Sequence, residues 1–239
     1  MPSSNLEHLR SFVMNSVLDA APVADEVEWY RNHWKPRHVT TLLLAESHVH
    51  TSADDFRHMW TYKNLGGHFV RFVYCLGYGE NELFVEHPTN NEQGTRPYWE
   101  IFCACVSDVE SNDDFGLLRK STDKEHRMEG KIRLLENLRD HEIWLADASP
   151  VAIDTLKSEV KKEVMREAWN CYTGSLVEQL AKDGLKRVVI IGKTVEGAIG
   201  KNVERLGLRI HVIPQPSRYT PKSQRWKSFS QYYEICNAS

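Results

Sequence analysis

The sequence of 239 residues lacks the features of a membrane, secreted or disordered protein. Its longest apolar runs, at 42–45 and 188–191, fall far short of the roughly 20 residues that span a bilayer. No apolar block precedes a cleavage site near the N-terminus, so no secretory signal is expected. The five cysteines include no C-x-x-C pair, which favours free thiols in a reduced compartment. We therefore expect a cytoplasmic protein, nucleoid-associated if bacterial, with no membrane partner.

The chain also lacks a strong net charge, because 30 Lys and Arg face 33 Asp and Glu and give −3. The charges are nevertheless unevenly distributed along the chain. Residues 184–239 hold ten basic and three acidic side chains, with Trp226 and several tyrosines between them. A basic segment with interleaved aromatics is typical of a surface that binds a polyanion, but equally of an ordinary solvated face. The sequence leaves both interpretations open.

The chain has no internal repeat, no low-complexity stretch and no linker rich in Pro, Gly or Ser, so we expect one domain. Hydrophobic patterns predict strands at 39–45, 143–146, 186–191 and 208–213. They predict helices at 4–19, 131–139, 152–182 and 194–206. Segment 71–76 is either a strand or irregular. Helices separate the successive strands, which predicts a single-domain α/β/α sandwich with a central four-stranded parallel sheet.

Polar residues follow the predicted strands at their carboxyl ends, where parallel sheets form their ligand crevices. The segments concerned are 46–51, 147–150, 192–194 and 215–218. They lie far apart along the chain, yet this fold class brings them to one edge of the sheet. The sequence therefore predicts a site built from these strand ends.

The strand ends resemble the motifs of the uracil-DNA glycosylase superfamily. They read LLLAESHVHT (42–51), IWLADASPV (143–151), VVIIGKT (188–194) and VIPQPSRY (212–219). The resemblance in order and spacing extends from about residue 35 to residue 230. Several positions depart from the family pattern. The motif's opening Gly is Ala45, its water-positioning Asp is Ser47, its uracil-reading Asn is Asp147 and its last His is Gln215.

Membership would imply a DNA glycosylase that flips uracil, or another deaminated base, out of DNA and hydrolyses its N-glycosidic bond during base-excision repair. The expected partner is uracil-containing DNA, single- or double-stranded, and the expected state is a monomer. No cofactor is expected. One branch of the family carries an iron–sulfur cluster, but the cysteine spacing does not fit that branch.

Cleavage of the bond requires a group that holds the attacking water and faces the cationic sugar, and donors for the departing base. Glu46 is the expected carboxylate, with a capping acid as the alternative role. Ser47 or His48 are alternative residues for holding the water. His48 and His50 lie two apart and share a face of an extended segment, so either is a candidate donor or general acid. Gln215 offers a weaker, uncharged amide donor.

The resemblance assigns base recognition to Asp147, although an ionised Asp can only accept hydrogen bonds and would repel uracil O4. Three solutions stay open: Asp147 is protonated in a buried pocket, another group recognises the base, or the preferred base carries an amino group. A purely structural role at the end of the strand is the alternative. The aromatic that stacks on the base is Phe72, Tyr74 or Tyr78, and the sequence does not choose among them.

Ser217 and Arg218 are expected to hold phosphates, by a hydroxyl and a guanidinium fork. Tyr219 occupies the position of the family's intercalating Leu, and we expect it to fill the gap left by the flipped base. Lys193 is a candidate contact to the DNA backbone, with an ordinary surface charge as the alternative.

Two other functions compete with the glycosylase. The string HVHT (48–51) also resembles the metal-binding opening of polymerase-and-histidinol-phosphatase-type hydrolases, which would make the chain a metal-dependent phosphoesterase. Later histidines do not sit in matching motifs, and we predict no metal. The altered motifs also fit an α/β module that binds nucleic acid without cleaving it.

Overall fold

The structure is a computed structural model, and it describes residues 8, 9, 19, 21–92, 94–118, 123–215 and 220–238. Most of the helix expected at 4–19 lies outside the described residues. In chain order the elements are α1 Ala21–His33, β1 Thr41–Ala45, α2 Ala53–Phe56, β2 Met59–Tyr62, β3 Leu65–His68, α3 Arg96–Val106, α4 Lys124–Asp140, β4 Ile143–Asp147, α5 Ser158–Ala168, α6 Gly174–Lys182, β5 Arg187–Ile191, α7 Lys193–Glu204, β6 Arg209–Ile213 and α8 Lys222–Asn237.

The central sheet has four strands in the order β4-β1-β5-β6, and every neighbouring pair is parallel. Thr41 of β1 lies opposite Ile143 of β4 and Arg187 of β5, and Val189 of β5 lies opposite His211 of β6. β1, β4 and β5 are buried along their whole length, whereas β6 is a partly exposed edge. The predicted α/β fold with a four-stranded parallel sheet is confirmed.

Helices surround this sheet because parallel strands require long crossover connections. α4 packs against β4, and α7 packs against β5 and β6. α3 packs against both α4 and α8, and α5 packs against α7. No helix in the described part of the chain is both long and apolar enough to cross a bilayer.

The helix expected from residue 152 begins only at Ser158, after a loop tied to other parts of the molecule. Ala152 N donates to Asp19 Oδ2 at 2.9 Å, and Ile153 N donates to Ser47 Oγ at 3.2 Å. These backbone groups are engaged outside any helix, which explains the later start. The helix is then interrupted by a π-helical turn at Trp169–Thr173 before α6.

Segment 71–76 forms successive turns rather than a strand. Just before it, an unpredicted antiparallel hairpin pairs β2 with β3. Lys63 takes a φ of 52° in the hairpin turn. Gly67 lies against α1 so closely that a Cβ there would be 2.5 Å from Tyr30 Oη. Glycine is therefore required where the hairpin crosses the helix.

Candidate active site

The loops that follow β1 and β4 are joined by backbone hydrogen bonds at one edge of the sheet. Ala148 N donates to Ala45 O at 2.7 Å, and Ser149 N donates to Glu46 O at 3.0 Å. Because the strands are parallel neighbours, both loops leave from carboxyl ends at the same edge. Segments 46–51 and 147–150 therefore lie together, as expected from the sequence.

The His48 side chain is fully buried between two carboxylates. Its Nε2 lies 2.8 Å from Asp19 Oδ2, and its Nδ1 lies 3.5 Å from Asp147 Oδ2. Burial alone would lower the pKa of the imidazole, but the charges and hydrogen bonds of Asp19 and Asp147 raise it to about 9. His48 is therefore an imidazolium at neutral pH, rather than a group that titrates near pH 7.

Asp147 is an ionised carboxylate, which removes the protonated form that the sequence left open. Arg31 Nη2 donates to Asp147 Oδ2 at 2.6 Å, and His48 N donates to the same oxygen at 3.0 Å. Burial alone would raise the pKa of Asp147, but the charges of Arg31 and His48 and their hydrogen bonds hold it below the ordinary value. Both hydrogen bonds that Asp147 accepts from the described residues end on Oδ2, which leaves Oδ1 as an acceptor.

Arg31 is held by Glu28 as well as by Asp147. Arg31 Nη1 donates to Glu28 Oε1, and Tyr172 Oη donates to Glu28 Oε2 at 3.0 Å. Burial alone would lower the pKa of Arg31, but the two carboxylates raise it above its ordinary value. Glu28, Arg31, Asp147 and His48 therefore form a row of charges of alternating sign from α1 to the strand ends. This row fixes the orientation of the Asp147 carboxylate.

A small cavity of about 30 Å³ lies beside His48 and Asp147. Phe72 forms one wall, with its ring centre 6.1 Å from that of His48, and Arg71 and Tyr98 form others. Of the three aromatic candidates for base stacking, all of them described, Phe72 alone lines this small cavity. A volume of about 30 Å³ is about a tenth of the roughly 300 Å³ at the small end of ligand sites. A base therefore enters only if the wall moves.

Glu46 lies outside the wall of the small cavity, and its Oε1 accepts a hydrogen bond from Lys161 Nζ at 2.6 Å. Its charge nevertheless reaches the cavity. Burial, followed by the charges of Asp147 and Glu46, raises the pKa of Tyr98 above its ordinary value. Asp147 and Glu46 thus both raise the pKa of the Tyr98 phenol, although they belong to different strand ends.

Ser47 and His50 hold the loop after β1 in place. Ser47 Oγ donates to His48 O at 2.8 Å and accepts from Ile153 N at 3.2 Å. His50 Nδ1 lies 3.1 Å from Asp19 Oδ1, and this interaction raises the pKa of His50. Of the two, Ser47 lines the small cavity and His50 does not.

Tyr74 and Tyr78 lie outside the small cavity. Tyr74 is buried in the core, where its Oη accepts from Leu145 N at 2.9 Å and its ring stacks on Phe102. Tyr78 Oη accepts a long hydrogen bond from Arg71 Nε at 3.4 Å, and its ring borders a second, larger cavity. Of the three predicted candidates, Phe72 is therefore the one that the fold offers to a base, beside Tyr98, which the sequence did not indicate.

The ends of β5 and β6 form a second pair. Gly192 N donates to Ile213 O at 2.8 Å, and Gln215 lies exposed against Gly192. Lys193 is exposed at the start of α7. Because β6 is two strands from β1, Gln215 is displaced from the loop after β1 by about 10 Å across the sheet. The remaining DNA-contact candidates, Ser217, Arg218 and Tyr219, lie outside the described residues.

Sequence reasoning missed Asp19, Arg31 and Tyr98. Asp19 and Arg31 reach the loops from 29 and 116 residues away along the chain, and no spacing pattern connects them. For Tyr98 the sequence did hold one signal that its side chain faces inward. It lies four residues before Phe102 and so shares a helix face with that core residue.

The histidines of the HVHT string do not assemble a metal site. Both imidazoles face Asp19, and the described residues contain no group of three or more His, Cys, Asp and Glu side chains placed to hold a metal ion. Within the described part of the chain, the donor set of a two-metal hydrolase is therefore not brought together.

A scan against protein-family models finds no match to the chain, and a search of curated proteins finds no significant relative. What the site does is therefore inferred from its residues and their geometry.

Proposed function

We propose that the protein is a DNA glycosylase that hydrolyses the N-glycosidic bond of uracil or another deaminated base. The observation that supports this most is the composition of the small cavity. An aromatic ring from Phe72, a fixed carboxylate from Asp147 and a cationic imidazole from His48 meet there, at the carboxyl ends of neighbouring parallel strands. A flipped base needs a stacking face and a polar edge of this kind.

In the proposed chemistry, a carboxylate acts on the attacking water and two cations act on the departing base. Water attacks C1′ of the sugar while the base leaves with the electron pair of the C1′–N bond. Glu46 takes the proton of that water and faces the developing positive charge on the sugar. Arg71, which lines the cavity, and the buried His48 cation stabilise the negative charge on the departing base.

The ionised state of Asp147 limits which bases the site can recognise. An ionised carboxylate accepts and never donates, and its Oδ2 is already occupied by Arg31 and by His48 N. Oδ1 is then the atom that receives an N–H of the base. A deaminated base whose N–H has a carbonyl oxygen on one side only suits this acceptor better than uracil, whose N3–H lies between two carbonyl oxygens. The proposed order of preference therefore places uracil below such a base.

Base entry requires the small cavity to widen. Its wall includes residues 71–73, which belong to a segment of turns and not to a helix or strand. β1 and β4, whose carboxyl ends lead into His48 and Asp147, are paired with each other along their length in the sheet. The turns are therefore the part of the wall that moves in this proposal.

The test uses oligonucleotides that carry uracil or one of a panel of other modified bases, including bases with exocyclic amino groups, as single and double strands. Each is incubated with the protein and then treated with hot alkali, which breaks the strand at abasic sites. We expect strand breaks with wild type and about a 100-fold slower reaction with Glu46→Gln. Asp54→Asn, which changes an acid whose side chain is 89% exposed, is the matched control and keeps the wild-type rate.

Binding of these oligonucleotides without any strand breaks would instead support a non-catalytic nucleic-acid-binding module. If the protein neither binds these oligonucleotides nor breaks them, both functions are contradicted. In this proposal the partner is DNA, the protein acts as a monomer, and it works in the cytoplasm, associated with the nucleoid if the source is bacterial.

A further inference from the structure

A large cavity of about 740 Å³ lies between α3, α4 and α8, next to the small cavity. Its lining includes Tyr78, Trp99, Arg96, Lys131 and Arg225. Small-molecule sites typically measure about 300–1,000 Å³ and combine aromatic walls with a few polar groups. The proposed chemistry does not use this space.

One buried carboxylate on the cavity wall is shared by two cations. Glu80, whose side chain is 4% exposed, accepts from Arg127 Nε at 2.8 Å and from Lys131 Nζ at 2.5 Å. Lys131 Nζ also lies 5.1 Å from the centre of the Trp99 ring. Arg127 has a second acid nearby, Glu82 at 3.3 Å, but that side chain is 62% exposed.

A second buried carboxylate repeats this arrangement. Glu100, also 4% exposed, is paired with Arg96 Nε at 3.1 Å and with Arg225 Nη2. On the cavity wall itself, the cations Arg96, Lys131 and Arg225 outnumber the one acid, Glu80. Arg96 and Arg225 each carry five N–H donors in a fixed plane, more than the Glu100 carboxylate that they share can use. The surplus donors and charge suit an oxyanion.

The two cavities share a wall. Thr95 lines both, and its buried Oγ1 has no hydrogen-bond partner among the described residues. Arg71 of the small cavity also contacts Tyr78 of the large one. A ligand in the large cavity therefore lies directly beside the site at the strand ends.

We infer that the large cavity binds a phosphate group of a nucleotide, with Arg96 and Arg225 as its principal ligands and Trp99 as a ring-sized apolar wall. The phosphate belongs either to a free mononucleotide or to the phosphodiester backbone of a nucleic acid strand. This inference goes beyond the proposed function because it requires no bond cleavage.

The test is calorimetric titration of the full chain with three probes: inorganic phosphate, dUMP and a thymine-only single strand. The variants are Arg225→Gln and Arg96→Gln. Either change leaves the other guanidinium on Glu100, so the buried acid stays paired. Arg205→Gln, an exposed arginine just after α7, is the matched control. Thermal unfolding checks that each variant folds, and Arg96, 64% exposed, remains testable if Arg225→Gln does not.

We expect each variant to raise the dissociation constant about tenfold, and the control to leave it unchanged. Binding of dUMP and phosphate would identify a mononucleotide, and binding of the strand alone would identify a phosphodiester. The inference is overturned if no probe binds at millimolar concentration, or if both variants bind as wild type does. Because none of these probes can show base excision from DNA, the alkali assay can fail or succeed independently of this result.

Discussion

Arg31 Nη2 lies 2.6 Å from Asp147 Oδ2, an ion pair that is buried and joins residues 116 apart in the sequence. It fixes the carboxylate at the end of β4 in one orientation and one charge state. Base recognition in the proposed function depends on this pair, because only an oriented, ionised carboxylate presents Oδ1 to a ligand.

Replacing Asp147 with Asn tests the ion pair. The variant keeps the shape but removes the negative charge between Arg31 and the His48 cation. Breaking a buried pair commonly costs about 3–5 kcal/mol, and because Glu28 still holds Arg31 we expect the lower end, about 3 kcal/mol of unfolding free energy. Urea unfolding measures it. Asp54→Asn should change stability by less than about 0.5 kcal/mol, and an equal loss in both variants would contradict the role given to the pair.

The pKa of His48 predicts how stability depends on pH. Folding raises this pKa from about 6.5 to about 9, so the stabilising charge is fully present below pH 6.5 and is lost as pH rises through 9. We expect the unfolding free energy to fall by up to about 3 kcal/mol between pH 6.5 and pH 9. Urea unfolding across this range gives the slope, and the NMR titration of the His48 ring assigns it. A ring that titrates at pH 6.5 would refute the prediction.

Substitutions at Phe72 and Tyr74 distinguish a residue that stacks on the base from one that packs in the core. Phe72→Leu shortens the wall of the small cavity, so kcat/KM on the best modified oligonucleotide should fall about tenfold or more through lost stacking. Tyr74→Phe removes the acceptor of the Leu145 N–H and should cost about 1 kcal/mol of stability while leaving kcat/KM unchanged. Kinetics and urea unfolding are measured on both. A Phe72→Leu variant that keeps the wild-type kcat/KM would contradict the stacking role given to Phe72.

Gly67 tests the contact between the hairpin and α1. An alanine Cβ would lie 2.5 Å from Tyr30 Oη, and that hydroxyl is fixed by hydrogen bonds from Trp60 Nε1 and to His68 O. We expect Gly67→Ala to lower the unfolding free energy by about 1–3 kcal/mol through overpacking. Gly116→Ala, where a Cβ meets nothing within 4 Å, is the control. A neutral Gly67→Ala would show that the hairpin shifts freely.

The sheet could be predicted because each strand is a short apolar run followed by a turn or loop, with helical patterns between the strands. The meeting of the Glu46 and Asp147 loops followed from parallel topology alone. The charge state of Asp147 could not be predicted, because its partner Arg31 sits on a helix with no sequence pattern pointing to the strand end. The hairpin was missed because its second strand, LGGH, has little of the β-branched pattern that marks a strand.

Asp19 gives the site a folding order. Its carboxylate receives the N–H groups of Thr51 and Ala152, which lie 32 and 133 residues later in the chain. During synthesis, Asp19 therefore leaves the ribosome long before Ala152, which lies in the last loop that Asp19 binds. The pocket at the strand ends takes shape only once residue 152 has emerged, so this corner of the molecule depends on contacts between residues far apart in the chain, which form slowly.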